Sequence, residues 1–304
     1  MLDNNLTYVP CNLCGSKDYK VLFKSTLRDD NLKNSYTQYV ISERSPRYGQ
    51  IVQCKRCALV YANPRDNASD IIHNYTMVKD ENYFSEWSAR EAVFLRGLRL
   101  IEKYAVREGR LLDLGCFTGV FLNLVRKNNW SALGIEPSKW AVDYGRNRLN
   151  LKILQGTFED FEFDDEYFDV VTMWDVIEHI SDPKLTLSLL NKKLKKGGIL
   201  YLTTFNFDSI FRKLFGSKYW FFEQMHIYYF TPRTIRRMLE ECNYKVIKIG
   251  LNLRTMSPEY LIFRLREVSK FLAKIIAPIS SSRLLKKRNI TAYAGEMTII
   301  AQKR

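Results

Sequence analysis

The sequence predicts an α/β protein: a doubly wound, mostly parallel sheet preceded by a small metal-binding module. Three observations carry that expectation. Strand-like and helix-like segments alternate from Arg110 onward. A glycine turn, Asp113-Leu-Gly115-Cys-Phe-Thr-Gly119, joins the first of those strands to the first helix. Two Cys-x-x-Cys pairs stand well ahead of it. A chain of 304 residues, 46% of them hydrophobic, is long enough for one large domain with its own core and one accessory module.

The cysteines come first in the chain. Cys11-Asn-Leu-Cys14 and Cys54-Lys-Arg-Cys57 have the form of two knuckles, each presenting two thiolates to one ion. Four cysteines complete a closed tetrahedral zinc site, structural because no position is left open for chemistry. The long interval between the pairs predicts a loop or hairpin extension. Cys116 and Cys242 read as packed residues, since no neighbour activates either thiol. The module is expected over residues 1–70. A helical connector over 71–107 follows, with Phe94, Leu95, Leu98, Ile101 and Tyr104 at helical spacing between Ser85 and Val106. The sheet domain is expected over 108–304.

Within that domain the strands are read as Arg110–Leu114, Ala132–Glu136, Leu151–Gln155, Phe168–Trp174 and Ile199–Thr204. Helices are read over Gly119–Lys127 and Lys139–Arg148. A third opens at Asp182-Pro183 and ends at Gly197-Gly198. Thr231-Pro232 starts a further helix with Ile235, Met238, Leu239 and Cys242 on its apolar face. Ligands of such sheets bind at the strand C-terminal ends. The first turn lacks the Gly-x-Gly-x-x-Gly of a dinucleotide site and has a carboxylate before its first glycine. That arrangement suits a ligand carrying an ammonium and a sulfonium better than a pyrophosphate. Glu136, in Gly134-Ile-Glu136-Pro137, can accept both hydroxyls of a ribose. Gly156-Thr157-Phe158-Glu159-Asp160 can form a turn around an adenine.

Together these segments resemble the class I S-adenosylmethionine-dependent methyltransferases. Asp113–Gly119 is similar to their cofactor loop, Glu136 to their ribose acid and Gly156–Asp160 to their adenine loop. Phe168–His179 resembles their fourth-strand motif. The resemblance covers about two-thirds of the chain and implies a seven-stranded Rossmann-like methyltransferase fold, with a last strand, Glu296–Ala301, lying antiparallel. It implies S-adenosylmethionine as cofactor, held by Asp113, Gly115, Gly119, Glu136, Pro137, Thr157, Phe158, Glu159 and Asp175. The N-terminal zinc module is similar to one subgroup, associated with sugar, glycan and natural-product methylation. Phe117 departs from the family, which has glycine there.

His226, His179 and Glu178 are the candidates for the chemistry. His226 falls on the loop before the Thr231-Pro232 helix and could take a hydroxyl proton near neutrality. Asp175, Glu178 and His179 would share one face if the turn after Trp174 were helical. That triplet resembles an acid-x-x-Glu-His element of quinone-type O-methyltransferases that holds a divalent metal. The alternative reading is that Glu178 and His179 fix the loop by hydrogen bonds.

The formal net charge of +14 favours an anionic partner. Residues 251–290 hold nine Lys/Arg against two acids, and Leu261, Ile262, Leu265, Val268, Leu272, Ile275 and Ile276 recur there at helical spacing. This helical insertion reads either as a lid helix or as a basic amphipathic helix over 258–290 lying on an anionic membrane. No apolar run approaches the roughly 18 residues of a membrane span. The N-terminus has neither a basic start nor an apolar core, so a cytoplasmic protein is expected, at most peripheral to the inner membrane face. Methylation of a hydroxyl on a sugar, glycan, lipid-linked or other small acceptor is the leading function. An RNA methyltransferase using the module and basic surface, and a non-catalytic cofactor-binding module, are the alternatives.

Overall fold

The computed structural model describes residues 6–27, 48–105, 108–262 and 289–304. Among these residues the longer strands form two sheets. The smaller has the order β1 (Tyr19–Phe23), β2 (Ile51–Cys54), β3 (Val60–Ala62) and β9 (Tyr228–Tyr229), all antiparallel. Its last strand comes from far downstream, beyond residue 70 where the sequence ends the module. The larger has seven strands, ordered β10 (Tyr244–Met256), β11 (Ile290–Lys303), β8 (Leu194–Phe205), β7 (Phe168–Trp174), β4 (Arg110–Leu114), β5 (Ser131–Glu136) and β6 (Ile153–Gln155).

From β6 to β8 every pairing is parallel, and β11 runs antiparallel to both β8 and β10. The expected seven-stranded, doubly wound sheet is therefore present. From β4 the chain winds one way to β5 and β6, then returns to lay β7 and β8 on the other side. The crevice at this reversal, outside the strand C-termini, is where such sheets bind ligands.

Burial explains the strand sequences. Leu111, Leu112, Val170, Val171, Leu200 and Leu202 are all fully buried because helices cover both faces. Helix α1 (Ala68–Thr76) precedes α2 (Trp87–Ile101), whose Leu98 and Ile101 pack with Phe121, Val125 and Tyr201. Each such side chain removed from water contributes about 1.5–3 kcal/mol. Helices α3 (Val120–Lys127) and α4 (Lys139–Leu149) follow β4 and β5, and α4 is capped by Ser138 accepting from the Ala141 N–H. The expected caps are found on α5 (Pro183–Lys193), where Asp182 accepts from Leu185, and on α7 (Pro232–Glu241), where Thr231 and Thr234 form a reciprocal box. Between them lies the short α6 (Ile210–Phe215).

Two expectations are corrected. Gly197-Gly198 does not end a helix: α5 stops at Lys193 and β8 begins at Leu194. Phe168 pairs with Leu194 and Val170 with Ile199, so the surplus residues, both glycines included, bulge out of β8. The helix expected between Ser85 and Val106 is α2, and α1 and a 3₁₀ turn over Glu81–Glu86 precede it in the connector. His73 accordingly sits on α1, exposed. Finally, Leu251–Met256 continues β10 rather than starting a helical insertion. Most of the basic stripe, residues 263–288, lies outside the described residues. No described helix is long and apolar enough to cross a membrane.

Candidate functional site

One cavity of about 1050 Å³ opens over the C-terminal ends of the parallel strands. From Glu136 on β5 to Glu296 on β11 it spans four inter-strand steps, about 19 Å at about 4.8 Å each. Its two ends are built differently.

At the β4–β5 end lie Asp113, Gly115, Phe117, Glu136, Pro137, and Gly156 through Asp160. Asp113 is buried and its Oδ1 accepts the Thr172 hydroxyl at 2.6 Å. Burial pushes its carboxyl up to about 8, against the lowering hydrogen bond from Thr172. The Glu136 oxygens accept one backbone N–H each, from Ser138 and Phe117, both at 2.9 Å. Burial pushes this carboxyl up to about 7, and those two N–H bonds hold it down. Each oxygen keeps a lone pair that a ribose hydroxyl can reach. Thr157 and Asp160 close a capping box that shapes the third loop. Glu159 accepts the Thr186 hydroxyl at 2.6 Å.

Gly115 and Gly119 both have positive φ, 71° and 81°, where a side chain is strained. They serve different ends. Gly115 lines the cavity, whereas Gly119 does not: a Cβ there would sit 2.4 Å from Leu151 Cδ1, so this glycine lets α3 pack on β6. Phe117 takes the left-handed conformation as well, φ 47°, and its N–H is the one that reaches Glu136.

The far end gathers Asp175, Glu178, His179, Glu223, His226, Asn252, Arg254 and Glu296. Asp175 has φ 54°, and Ile177–His179 forms only a 3₁₀ turn. The turn after Trp174 is therefore not α-helical, and Asp175 does not join Glu178 and His179 on one face. Its Oδ1 accepts the Thr203 hydroxyl at 2.7 Å, and Arg254 Nη2 lies 3.4 Å from Oδ2. The same Nη2 lies 3.2 Å from Glu296. Burial disfavours the guanidinium charge, but Glu296 and Asp175 outweigh it and raise its pKa.

His226 takes the place expected of Asp175. One ligand atom from each of Glu178, His179 and His226 lies within 4.8 Å of the others. His179 Nδ1 sits 2.9 Å from the Met225 carbonyl and His226 Nδ1 2.7 Å from the Phe221 carbonyl. A carbonyl only accepts, so each Nδ1 carries a proton. Glu178 is 1% exposed, and burial, followed by the neighbouring Asp175, pushes its carboxyl well up.

The sequence reading missed Tyr83, Arg90, Glu223, Arg254 and Glu296, which also line the cavity. Arg90 stacks 3.7 Å above the Tyr83 ring, and its buried Nε has no partner among the described residues. No sequence signal placed Arg254 beside Glu296, because 251–290 was expected to be a helical insertion and not the continuation of β10.

The four cysteines converge outside this cavity. Their sulfurs all lie within 4.8 Å of one another, with Cys11–Cys57 at 3.4 Å and Cys14–Cys54 at 3.5 Å. These separations are too long for a disulfide and near the edge of about 3.8 Å of a tetrahedron with Zn–S bonds of about 2.3 Å. The two knuckles turn alike: Gly15 N–H bonds the Cys11 carbonyl, Ala58 N–H that of Cys54, and both residues have positive φ.

Residues 85–249 match a family described as a methyltransferase domain. That stretch is over half of the chain. The chain belongs to this methyltransferase-domain family. Among curated proteins, the ubiquinone biosynthesis O-methyltransferase of Coxiella burnetii is 26% identical over 132 residues, 41% of this chain and 56% of that protein. The protein of the same name from Bartonella tribocorum is 23% identical over 164 residues, 50% of this chain and 66% of its own length. The chain thus spans between half and two thirds of the curated relatives it matches. A SAM-dependent methyltransferase of Thermotoga maritima has the same fold, with a TM-score of 0.51 at 18% identity, covering 78% of this chain and all of that one. Another from Archaeoglobus fulgidus gives 0.51 at 21%, covering 74% and all of its chain. The expected class I fold of S-adenosylmethionine-dependent methyltransferases is the fold observed.

Proposed function

We propose that this chain transfers the methyl group of S-adenosylmethionine to a hydroxyl of a small polar acceptor, a sugar, glycan, lipid-linked or other small molecule. One observation carries the reading: a single cavity joins the buried acids of the β4–β5 end to the paired histidines of the far end. In this reading Glu136 accepts the ribose hydroxyls, the 156–160 turn holds the adenine, Asp113 favours the cationic methionine end, and Arg90 pairs with its carboxylate. S-adenosylmethionine supplies a methyl carbon bonded to a good leaving group. The chain's own residues align the acceptor in line with that bond and remove its proton. His226, whose Nδ1–H the Phe221 carbonyl holds at the cavity wall, is the proposed base, and His179 beside it is the second candidate. With the cofactor bound, the acceptor oxygen would take its methyl group and the sulfur would leave as the thioether, while the imidazole of His226 would take the hydroxyl proton.

The names of the curated relatives support oxygen as the acceptor atom. Asp175, Glu223 and Glu296, set against the Arg254 cation, would repel a phosphate backbone, which weighs against an RNA substrate. A second reading concerns a divalent ion beside the acceptor. The structure favours Glu178, His179 and His226 as its donors over the Asp175/Glu178/His179 set expected from sequence. Each Nδ1–H is held by a carbonyl, as metal-bound histidines commonly are. Zinc on Cys11, Cys14, Cys54 and Cys57 is proposed as a separate, structural ion. Burial pushes the Cys11 thiol up, so its thiolate needs a cation close by.

The test has two parts. Calorimetry with S-adenosylmethionine should show saturable binding at one site, and absence of binding would remove the cofactor reading. Metal analysis should give about one zinc per chain, as a closed site requires. A folded, metal-free protein would overturn the zinc assignment. A hydroxylated acceptor giving a product one methyl heavier would then identify the substrate.

A further inference from the structure

The histidine pair is held in place from outside the cavity. Arg65 lies at the end of the cysteine module, and its backbone forms a two-way bridge with Thr7, N–H to carbonyl in each direction. Its side chain reaches two other loops. Nη2 donates to the Ser181 carbonyl at 2.8 Å, and the guanidinium carbon stands 4.9 Å from the centre of the Tyr228 ring. Tyr228 closes the triangle by donating its own hydroxyl to the same Ser181 carbonyl at 3.2 Å.

The register is what matters. Ser181 lies two residues beyond His179, and Tyr228 two residues beyond His226. The residue between, Ile227, donates its N–H to the Glu178 carbonyl at 2.9 Å and accepts the Ala62 N–H at 2.9 Å. The two imidazoles stand 4.7 Å apart, centre to centre. Only a planar guanidinium can donate in its plane to one loop while its face covers a ring on the other.

We infer that Arg65 is a positioning residue for the histidine pair: it fixes the spacing of the two loops that carry His179 and His226, and so couples the cysteine module to the acceptor end. The inference rests on the reading that this pair faces the methyl acceptor. Arg65 does not line the cavity and is not a catalytic residue.

The chain has three histidines, and His73, exposed on α1, serves as an internal reference. Nitrogen-15 spectra of the imidazoles in the full chain should show His179 and His226 each locked as the Nδ1-protonated tautomer. In Arg65→Ala both signatures should be lost while His73 is unchanged. S-adenosylmethionine affinity should stay within about two-fold, the scatter expected between sites without shared partners. Millimolar guanidinium should restore the two signatures. Arg65→Lys, which can reach Ser181 but cannot also cover Tyr228, should preserve fewer of them and decides the matter if the alanine variant does not fold. Retention of both locked signatures in either variant overturns the inference. So does loss of all three histidine signals together with cofactor binding, since that would mean a general structural role. Failure of the wild type to bind S-adenosylmethionine would instead strike the cofactor reading, while the tautomer spectra would still report on Arg65.

Discussion

The two ends of the cavity differ in how far apart in sequence their residues lie. The β4–β5 end is assembled from three short turns that directly follow three strands, and backbone N–H groups hold its key acid, Glu136. The far end brings together the β7 turn, the loop before β9, and the paired strands β10 and β11, and Asp175 and Glu296 are held there by side chains. A site made of local turns tolerates change elsewhere in the fold. One made of long-range contacts depends on every element that sets their spacing. If that contrast holds, substitutions at one end should leave the other end's function nearly intact.

The largest effect is expected at His226. His226→Ala should lower turnover about 10²–10⁴-fold, the usual contribution of a general base. Its S-adenosylmethionine affinity should be close to that of the wild type. The pH–rate profile on a true acceptor should lose an ionisation near neutrality, and its persistence would exclude His226 as the base. If His179→Ala alone abolishes turnover and activity needs a divalent ion, the metal reading wins.

Next comes Arg254→Met. It leaves the buried Glu296 without its cation and the half-exposed Asp175 without its ion pair, and the buried carboxylate should cost about 3–5 kcal/mol of stability in denaturant unfolding. A loss below about 1 kcal/mol would mean that the carboxylates are neutral in the folded chain and that no ion pair forms there.

Glu136→Ala tests the other end. Removing charge-assisted hydrogen bonds to the ribose should weaken cofactor binding by about 1.5–3 kcal/mol in calorimetry. The tautomer signatures of His179 and His226 should not move. Unchanged affinity would sink the ribose assignment.

The smallest effect is a proton linkage. Asp113 at about 8 and Glu136 at about 7 are both raised in the folded chain without ligand. Raised carboxyls contribute stability that is full below the unfolded values near 4 and is lost as pH rises through 7 to 8. A cationic ligand favours the ionised acids, so binding near pH 6.5 should release protons, and affinity should rise from pH 6 to 7.5. Calorimetry in buffers of different ionisation enthalpy counts the released protons, and Glu136→Gln should release fewer. Equal release by wild type and variant would show that Glu136 does not ionise on binding.

The same contrast explains what the sequence revealed. Asp113, Gly115, Glu136 and the 156–160 turn were legible because each sits at a fixed offset from a strand end, and adjacent parallel strands bring such positions together. Thr231-Pro232 and Asp182-Pro183 were legible as helix starts because a cap is a local hydrogen bond. Gly197-Gly198 misled because a glycine pair marks a bulge as readily as a helix end, and only pairing with β7 separates the two. Asp175 misled because the backbone turns left-handed there, which residue spacing does not encode. Arg254 and Glu296 meet through the register of β10 on β11, with Asn252 opposite Glu296 and a shift just beyond it. No motif spacing records such a meeting.

The two-residue strand Tyr228–Tyr229 has a consequence for anyone dividing this protein into pieces. It is the outermost strand on one side of the smaller sheet, yet it is contributed by chain that otherwise belongs to the larger unit. A fragment begun after Arg65 would leave two aromatic side chains, each 1% exposed in the intact chain, facing solvent. A fragment ended there would carry β3 with an open edge ready to recruit a foreign strand. The cut that looks natural along the chain is therefore a cut through one sheet. Transplanting the cysteine unit onto another scaffold would require carrying this short strand along or designing a substitute for it.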